Sequence, residues 1–331
     1  MLTVPAVLLG ILFQAVGSLP AFLCLWIAEQ SLLVFAGWLT LFESIPLLQP
    51  LDHVHWTAWV FLVMGSVLAL LPRGTRLRWL AVPCLVPVFA GTLLNTDEVV
   101  HIRVHDVGQG LAVTIDTPEG VVVYDTGVER VGEQVLFPSI TRMGHRMIDT
   151  LIVSHNDEDH AAGVATLVRR IPVAKSFRSG CDEQRWYMAH VEFRLMSADG
   201  HVRQRNDSSC ALMVSIGSFR MLIPGDVEKH GEEFLRQRLP GNVTVMVSPH
   251  HGSRTSSAPG FLNHFMHDVV VVSAGFANRF GHPHPEIVRR YRQRGMVVYT
   301  TADHGAVEVI VHKTGRYTIS AARDERDYLW Y

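Results

Sequence analysis

The residues best suited to chemistry lie in the segment 154–160, Ser-His-Asn-Asp-Glu-Asp-His, which follows a predicted buried strand and opens a predicted helix. Four side chains that can bind a metal ion fall at positions 155, 157, 159 and 160. An extended backbone places alternate side chains on one face, so His155 and Asp157 are expected to share one ion. The turn that follows would direct Asp159 and His160 toward a second ion. The alternative is an ordinary polar loop that caps a helix.

Two later segments, 224–226 and 248–253, also place metal-binding side chains directly after predicted strands. A carboxylate just past a buried strand is costly unless it is solvated or paired with cations. We therefore expect Asp226 to bridge two ions and His250 to complete the second site. Two neighbouring divalent ions activate a water molecule and stabilise the charge that develops on a phosphate, so this arrangement predicts phosphodiester hydrolysis.

The elements that must position these residues divide into two unlike parts. The chain has 331 residues, of which 48% are hydrophobic and 18% are charged, and its net charge is −2. Residues 1–96 hold three of the 29 basic and three of the 31 acidic residues, so this part suits lipid and the remainder suits water. The composition excludes a disordered chain and a small disulfide scaffold. The near-neutral charge excludes a nucleic-acid-binding protein that acts through bulk positive charge.

The first part is predicted to form three to four membrane spans. The candidates are 1–28, 21–41, 56–71 and 79–94, with a bend in the first at 18–20. The span 21–41 could instead lie in the interface or pack inside a bundle. All three arginines of this part lie in the loop 72–78, which the positive-inside rule places in the cytoplasm. Everything after the last span would then lie on the extracytoplasmic side. Glu29 is read as an interfacial residue at a helix end, with a pore-lining role as the alternative.

The second part alternates short strands with single helices, which favours an α/β layered domain with mixed sheets. Helices are predicted at 160–170, 228–238 and 284–294. Strands are predicted at 99–106, 111–116, 121–125, 149–154, 210–216, 219–223, 244–248, 269–273, 296–300, 306–311 and 317–320. Four cysteines are too few for a disulfide framework. Cys181 and Cys210 could pair outside the cytoplasm, but we favour buried free thiols.

The ordered set of candidate ligands, His155-x-Asp157-x-Asp159-His160, then Asp226, then His250, resembles the metallo-β-lactamase superfamily, whose first motif is usually His-x-His-x-Asp-His. Five motifs in order resemble the C-terminal domain of the ComEC family of DNA-uptake competence channels. They are Asp-Val-Gly-Gln-Gly at 106–110, Tyr-Asp-Thr-Gly at 124–127, Pro-Gly-Asp at 224–226, His-His-Gly-Ser at 250–253 and Gly-His-Pro at 281–283.

This resemblance implies an α/β fold, a metallo-β-lactamase-like αββα sandwich at 97–331, preceded by a short all-α transmembrane segment at 1–96 that corresponds to the end of the competence membrane domain. Full-length family members carry a much longer N-terminal region, so this chain is expected to begin partway through the membrane bundle. The family's glycine-rich motif usually continues with aspartate, whereas Leu111 follows Gly110 here. Asp106 and Asp125 lie at strand ends and are expected to be structural.

The resemblance also implies roles for the ligand candidates. His155 and Asp157 would hold the first ion, Asp159 and His160 the second, with Asp226 bridging and His250 completing the second site. The catalytic residues would be Asp159, His160 and Asp226, with Asp159 also orienting the attacking water.

The superfamily's third histidine ligand of the first ion is missing or replaced, because the matching region 206–209 reads Asn-Asp-Ser-Ser. Asp157 also replaces a histidine, and more oxygen with less imidazole shifts the preference from Zn²⁺ toward Mn²⁺ or Mg²⁺. The expected cofactors are two divalent ions, Mn²⁺ first, with Mg²⁺ or Zn²⁺ as alternatives. His251, Ser253 and His282 are candidate substrate contacts. For the two histidines the alternatives are a reserve ligand or a merely neighbouring ring, and for Ser253 a helix cap.

The implied function is that of an inner-membrane component of DNA uptake in natural transformation. The soluble domain would degrade the non-transported strand, with single-stranded DNA as substrate and the lipid bilayer and other competence proteins as partners. Two alternatives remain open from the residues. One is a structural or transport module with a weakened metal site, and the other is a hydrolase of a substrate other than DNA.

Overall fold

The computed structural model describes residues 3–14, 17–43, 56–72, 74–84, 99–198, 206–265 and 268–324. The chain divides into two compact units, residues 1–95 and residues 96–331.

The N-terminal unit consists of apolar helices. Helices α1 (Thr3–Phe13), α2 (Ser18–Glu43) and α3 (Trp56–Ala69) are followed by a 3₁₀ helix at Arg76–Leu80. The portion Ser18–Trp38 is 21 residues long, and it is the one helix in the described residues with the length and hydropathy to cross a membrane.

Three expectations for this unit change. The predicted bend at 18–20 is absent from the structure, because Pro20 is accommodated in the first turn of α2, where its missing N–H is not needed. The span 21–41 therefore belongs to one long helix. Glu29 is exposed in the interior of that helix and not at its end. The candidate span 79–94 lies mostly outside the described residues.

The second unit, residues 96–331, is called the soluble unit, and it contains fourteen strands within its described residues. They are β1 (Val99–Val104), β2 (Val113–Thr117), β3 (Gly120–Tyr124), β4 (Ile148–Ile152), β5 (Val173–Phe177), β6 (Gln184–Met188), β7 (Val191–Ser197), β8 (Cys210–Ile216), β9 (Phe219–Ile223), β10 (Val245–Val247), β11 (Val269–Val272), β12 (Val297–Thr300), β13 (Val307–His312) and β14 (Tyr317–Ala321). One sheet has the order β14-β13-β1-β2-β3-β4-β5 and the other β12-β11-β10-β9-β8-β7-β6.

Helices cover the outer face of each sheet. They are α4 (Glu129–Val131), a π-helical turn (Gly132–Leu136), α5 (Phe137–Arg142), α6 (Glu158–Ala161), α7 (Val164–Val168), α8 (Lys229–Arg238), a 3₁₀ turn (Pro249–Gly252), α9 (Pro259–His264), α10 (Pro285–Arg292) and α11 (Thr301–His304). The predicted helix 160–170 is thus two short helices.

Three clusters of buried side chains define the layers of this unit. The largest lies between the two sheets, and the other two lie between each sheet and its helices. The prediction of an αββα sandwich with mixed sheets is confirmed. In the parallel parts of the sheets, β3 to β5 and β9 to β12, the carboxyl ends of neighbouring strands lie at one edge. Open sheets of this kind bind ligands at that edge.

A disulfide joins the segment before β6 to the first residue of β8. The Cα atoms of Cys181 and Cys210 are 6.0 Å apart, within the usual range for this bond. The expectation of free thiols is therefore wrong. The backbone N–H of Cys210 donates to the carbonyl of Ser154, so the bridge lies directly behind the loop that follows β4.

Candidate metal centre

The loop after β4 turns sharply into α6 and thereby brings its side chains together. Asp157 stands at the N-cap position with an extended backbone, and its carbonyl accepts from the N–H groups of His160 and Ala161. His155 and His160 are buried beneath the loop, whereas the side chains of Asp157 and Asp159 remain partly exposed. The predicted alternation of side chains in this segment thus produces a cluster with buried imidazoles and an open carboxylate edge.

His160 is held in one orientation by Asp125. Its Nδ1 lies 2.7 Å from Oδ2 of Asp125, whose two oxygens also accept from the backbone N–H and the hydroxyl of Ser154, each at 2.7 Å. Because a carboxylate accepts, Nδ1 of His160 keeps its proton, so Nε2 is the nitrogen that can release a proton and bind a metal ion. A buried carboxylate behind an imidazole is the usual support of a metal-binding histidine. Asp125 is therefore structural, as expected, and it acts directly on the site.

The first group of candidate ligands contains His155, Asp157 and Asp226. Nε2 of His155 lies 3.7 Å from Oδ2 of Asp157 and 4.0 Å from Oδ2 of Asp226, too far for hydrogen bonds. This nitrogen is buried and makes no hydrogen bond within the described residues. Burial, followed by repulsion from His160, lowers the pKa of His155. A neutral imidazole with a buried, unused lone pair is the form that binds a metal ion.

The second group contains Asp159, His160 and His251. Nε2 of His251 lies 3.5 Å from Oδ2 of Asp159 and 3.1 Å from Nε2 of His160. Nδ1 of His251 donates to the carbonyl of Ser273 at 2.8 Å, so its Nε2 is the nitrogen that faces the cluster. Two imidazole nitrogens this close need a shared proton or a shared cation between them.

Asp226 lies between the two groups. Its Oδ1 is 3.2 Å from Nε2 of His160, and its Oδ2 is 3.5 Å from Nε2 of His251 and 4.0 Å from that of His155. Burial raises the pKa of Asp226, but the imidazoles of His160 and His251 hold it well below its usual range. The site therefore keeps a buried carboxylate ionised at the point where two cations would be bridged.

The charges of the remaining members are coupled to this carboxylate. Burial lowers the pKa of His160, but the carboxylates of Asp226 and Asp125 raise it well above its usual value. Burial raises the pKa of Asp159, but contacts with His251 and His160 bring it to about 2. In the cluster, protons on His160 and His251 balance the ionised carboxylates, and a bound metal ion would take the place of those protons.

The structure differs from the sequence reading in the choice between His250 and His251. Both residues have left-handed backbone angles, with φ of 48° and 54°. His251 is buried and faces the cluster. His250 lies at the rim, with Nδ1 3.1 Å from Oγ1 of Thr255 and 3.3 Å from Glu228, and with Nε2 3.7 Å from Asp226. Two consecutive left-handed residues turn the side chain of His251 toward the cluster, and we propose it as a ligand in place of His250.

The other predicted contacts lie around this cluster. The ring of His282 is 6.4 Å from that of His251 and 5.9 Å from that of His250. Burial, then the positive charge of these two rings, lowers the pKa of His282 to about 4. Ser253 hydrogen bonds with Thr255 and serves the local turn. Asp106 pairs with Arg323 at 2.9 Å and is structural, as expected.

The segment 206–209, which matches the position of the missing histidine ligand, supports the site through the backbone. Oδ1 of Asp207 accepts from the N–H groups of Glu228 and Gly231 at the start of α8. Oγ of Ser209 accepts from the N–H of Asp226 at 3.2 Å. These contacts fix the loop that carries Asp226, a role that the sequence reading missed.

The donor set fits divalent metal ions. It offers buried nitrogen lone pairs at His155 and His251, and carboxylates at Asp159 and Asp226, with ligand atoms 3–4 Å apart. Ligands about 2 Å from a common ion have spacings of this order. The mixture of carboxylate oxygens with imidazole nitrogens suits Mn²⁺, Mg²⁺ or Zn²⁺.

Comparison with known proteins agrees with this geometry. The family model described as "Metallo-beta-lactamase superfamily" matches residues 105–176, which include the loop after β4. The "Competence protein ComA" of Neisseria gonorrhoeae is 34% identical over 266 residues, which cover 75% of this chain and 38% of that protein. "Recombination protein 2" of Haemophilus influenzae is 32% identical over 221 residues, which cover 62% of this chain and 28% of that protein.

The chain thus spans well under half the length of these curated relatives. Among solved structures, a metallo-β-lactamase of Cronobacter sakazakii with a HARLDQ motif matches with a TM-score of 0.37 and 14% identity, covering 50% of this chain and 86% of that one.

Proposed function

We propose that this chain, a homologue of the ComEC family of competence proteins with a metallo-β-lactamase domain, is a membrane-bound phosphodiesterase that degrades the non-transported strand during DNA uptake. The observation that carries this proposal is the position of Asp226, whose carboxylate oxygens lie 3.2–4.0 Å from the Nε2 atoms of His155, His160 and His251. A single carboxylate flanked by imidazoles on both sides is suited to two ions, and two ions suit phosphodiester cleavage.

The candidate ligands would be divided between two metal ions. His155, Asp157 and Asp226 would hold one ion, and Asp159, His160, His251 and Asp226 the other. Bound ions of this kind activate water and neutralise charge on the phosphate. Asp159 lies at the exposed side of the cluster, from which a water molecule and a substrate phosphate can approach. Asp125 and Ser273 hold the imidazoles in the tautomers that face inward.

The shape of the site supports a long substrate. His155, His160 and Asp226 form the buried floor, whereas the side chains of Asp157 and Asp159 are 27% and 29% exposed. The cluster is therefore open along one edge and not enclosed in a deep pocket. A strand of nucleic acid can pass over such an edge and place any of its phosphates on the site.

The Cys181–Cys210 bridge supports a location outside the cytoplasm. Disulfides persist in oxidising compartments and are rare in the cytosol. Together with the apolar helix Ser18–Trp38 and the arginines at 73, 76 and 78, this favours an inner-membrane protein whose soluble unit lies on the extracytoplasmic side.

The test uses the full chain in lipid nanodiscs, stripped with EDTA and reloaded with Mn²⁺. We would measure cleavage of a 5′-labelled single-stranded oligonucleotide and hydrolysis of bis(4-nitrophenyl) phosphate, a phosphodiester without bases. Asp226→Asn removes the bridging charge with little change in shape. Asp149→Asn is its matched control, since Asp149 accepts a backbone hydrogen bond from Val121 in the same unit but outside the cluster.

We expect Mn²⁺-dependent cleavage of both substrates by the wild type and by Asp149→Asn, and its loss in Asp226→Asn. Hydrolysis of neither substrate by a chain that binds Mn²⁺ would overturn the proposal and favour a non-DNA substrate. A chain that binds no metal would overturn it in favour of a structural or transport module.

A further inference from the structure

The loop between β11 and α10 carries exposed aromatic rings beside the candidate metal centre. Phe276 is 81% exposed and Phe280 is 51% exposed. In the described residues of the soluble unit, only Tyr187 among the other aromatic side chains is exposed to a similar degree. Exposed phenylalanine is costly in water, so two on one short loop mark this surface as a contact site.

The ring of Phe280 continues a stack that begins inside the cluster. The ring of His282 lies 6.4 Å from that of His251 and 5.8 Å from that of Phe280, with interplanar angles of 26° and 23°. The guanidinium group of Arg279 lies 4.7 Å from the centre of the Phe280 ring. Ring spacings of 4.5–7 Å are typical of aromatic contacts. The stack leads from the ligand candidates outward to solvent, so a flat group placed on it would lie next to the reacting phosphate.

The loop is held in shape before any ligand arrives. Oδ1 of Asn278 accepts from the N–H groups of Phe280 and His282 at 3.2 and 3.0 Å, and its Nδ2 donates to the carbonyl of Gly275 at 2.8 Å. Gly275 packs so closely on the loop 108–109 that an added Cβ would lie 2.9 Å from the N of Gln109. A preformed surface avoids the entropic cost of ordering a loop on binding.

A basic groove adjoins the loop at its far end. It has a volume of about 650 Å³ and is lined by Pro283, Pro285, Val288, Arg289, Arg292 and Gln293. The two arginines are exposed on α10, and neither forms an ion pair within the described part of the chain. Positive charge next to aromatic rings is the combination that proteins use to bind single-stranded nucleic acid.

We propose that Phe276 and Phe280 form a base-stacking platform for a nucleotide next to the cleaved phosphodiester, while Arg289 and Arg292 contact the phosphates that follow. This inference rests on the proposed function and makes its substrate specific. The platform selects a single strand, because only unpaired bases present a free face for stacking. Stacking tolerates every base, so the platform supports cleavage without sequence preference.

The test measures binding and cleavage by the full chain in nanodiscs with Mn²⁺. The binding probe is a single-stranded oligonucleotide with phosphorothioate linkages and one 2-aminopurine, whose fluorescence is quenched by stacking. The variant is Phe276→Leu with Phe280→Leu, which keeps the apolar volume and removes the rings. Tyr187→Leu is the matched control for loss of an exposed ring elsewhere. A second oligonucleotide carries abasic sites in place of the bases.

We expect wild type and Tyr187→Leu to quench the probe, and the double variant to bind it on the order of tenfold more weakly. The abasic oligonucleotide should bind wild type as weakly as the normal one binds the double variant. The affinity for Mn²⁺ should be the same in all three proteins, because none of the exchanged rings belongs to a candidate metal ligand.

Equal binding of both oligonucleotides by wild type and double variant would overturn the inference and leave a contact with the bilayer as the role of the exposed rings. That result is distinct from failure of the proposed function, in which the wild type would hydrolyse neither DNA nor the small phosphodiester.

Discussion

Asp125 offers a test of how the site is supported, because it touches the cluster without being one of its candidate ligands. In Asp125→Asn an amide replaces the carboxylate at nearly the same volume. If the new N–H₂ group faces His160, it donates to Nδ1 and drives the proton to Nε2, which then cannot bind a metal ion. If the amide is turned around, its N–H₂ group faces the backbone N–H of Ser154.

Either orientation carries a definite cost. Opposed donors at a buried position cost about 1–3 kcal/mol, and the wrong tautomer at His160 must be reversed before metal can bind. Loss of such outer support typically lowers metal affinity about 10- to 100-fold, or about 1.4–2.7 kcal/mol of binding free energy. We expect Mn²⁺ affinity to fall within this range.

The assay is titration of the full chain with Mn²⁺, with free ion followed by electron paramagnetic resonance. Asp149→Asn changes a half-buried carboxylate of β4 that accepts one backbone hydrogen bond; it is the matched control and should bind Mn²⁺ as the wild type does. Thermal unfolding in EDTA establishes that both variants are folded. A folded Asp125→Asn protein with wild-type affinity would refute the orienting role of this carboxylate.

Three further predictions concern other parts of the soluble unit. His251→Ala should lower Mn²⁺ affinity more than about 100-fold, beyond the usual effect of an outer partner, whereas His250→Ala should have a smaller effect; the reverse order in the same titration would assign the ligand to His250. Burial raises the pKa of Glu232 to about 7, so the folded state retains a proton that the unfolded chain releases at lower pH. The free energy of unfolding should therefore fall by about 3 kcal/mol as the pH rises from about 4.5 through 7, and a denaturant series should show a flatter profile for Glu232→Gln; an unchanged profile would contradict this. Replacement of Cys181 and Cys210 by serine, which opens a loop with a sequence separation of 29, should cost about 2–4 kcal/mol; reductant should lower the melting temperature of the wild type alone, and an equal effect on the variant would argue against the bridge.

Much of the fold could be predicted because buried strands can be recognised in a sequence as runs of apolar residues. β11 is four consecutive valines, all buried, and its prediction is confirmed. β5 and β6 were missed because they lie at the edges of the two sheets and are largely exposed, so their residues carry no apolar run. β7 was missed although its buried positions largely alternate with half-buried ones, which is a strand signal that the sequence does contain.

The sequence allowed prediction only of those site contacts that join residues close together along the chain. The motif that ends at His160 brings its own members together through one turn. The side chain of His251 points inward because residues 250 and 251 both have left-handed backbone angles. Nothing in the sequence indicates these angles. The contact of His160 with Asp125 spans 35 positions. Such a pair is decided by strand pairing, which spacing alone does not reveal.

The order of strands in the first sheet also governs when the centre can exist. β1, near the beginning of the soluble unit, pairs with β13, so this sheet closes only after nearly the whole unit has been made. Contacts between distant parts of a chain form late and slowly during folding. Residues from both sheets meet at Asp226, and an unfinished chain lacks that meeting point. The candidate metal centre therefore assembles only after the chain has been synthesised past His251 and the two sheets have packed together.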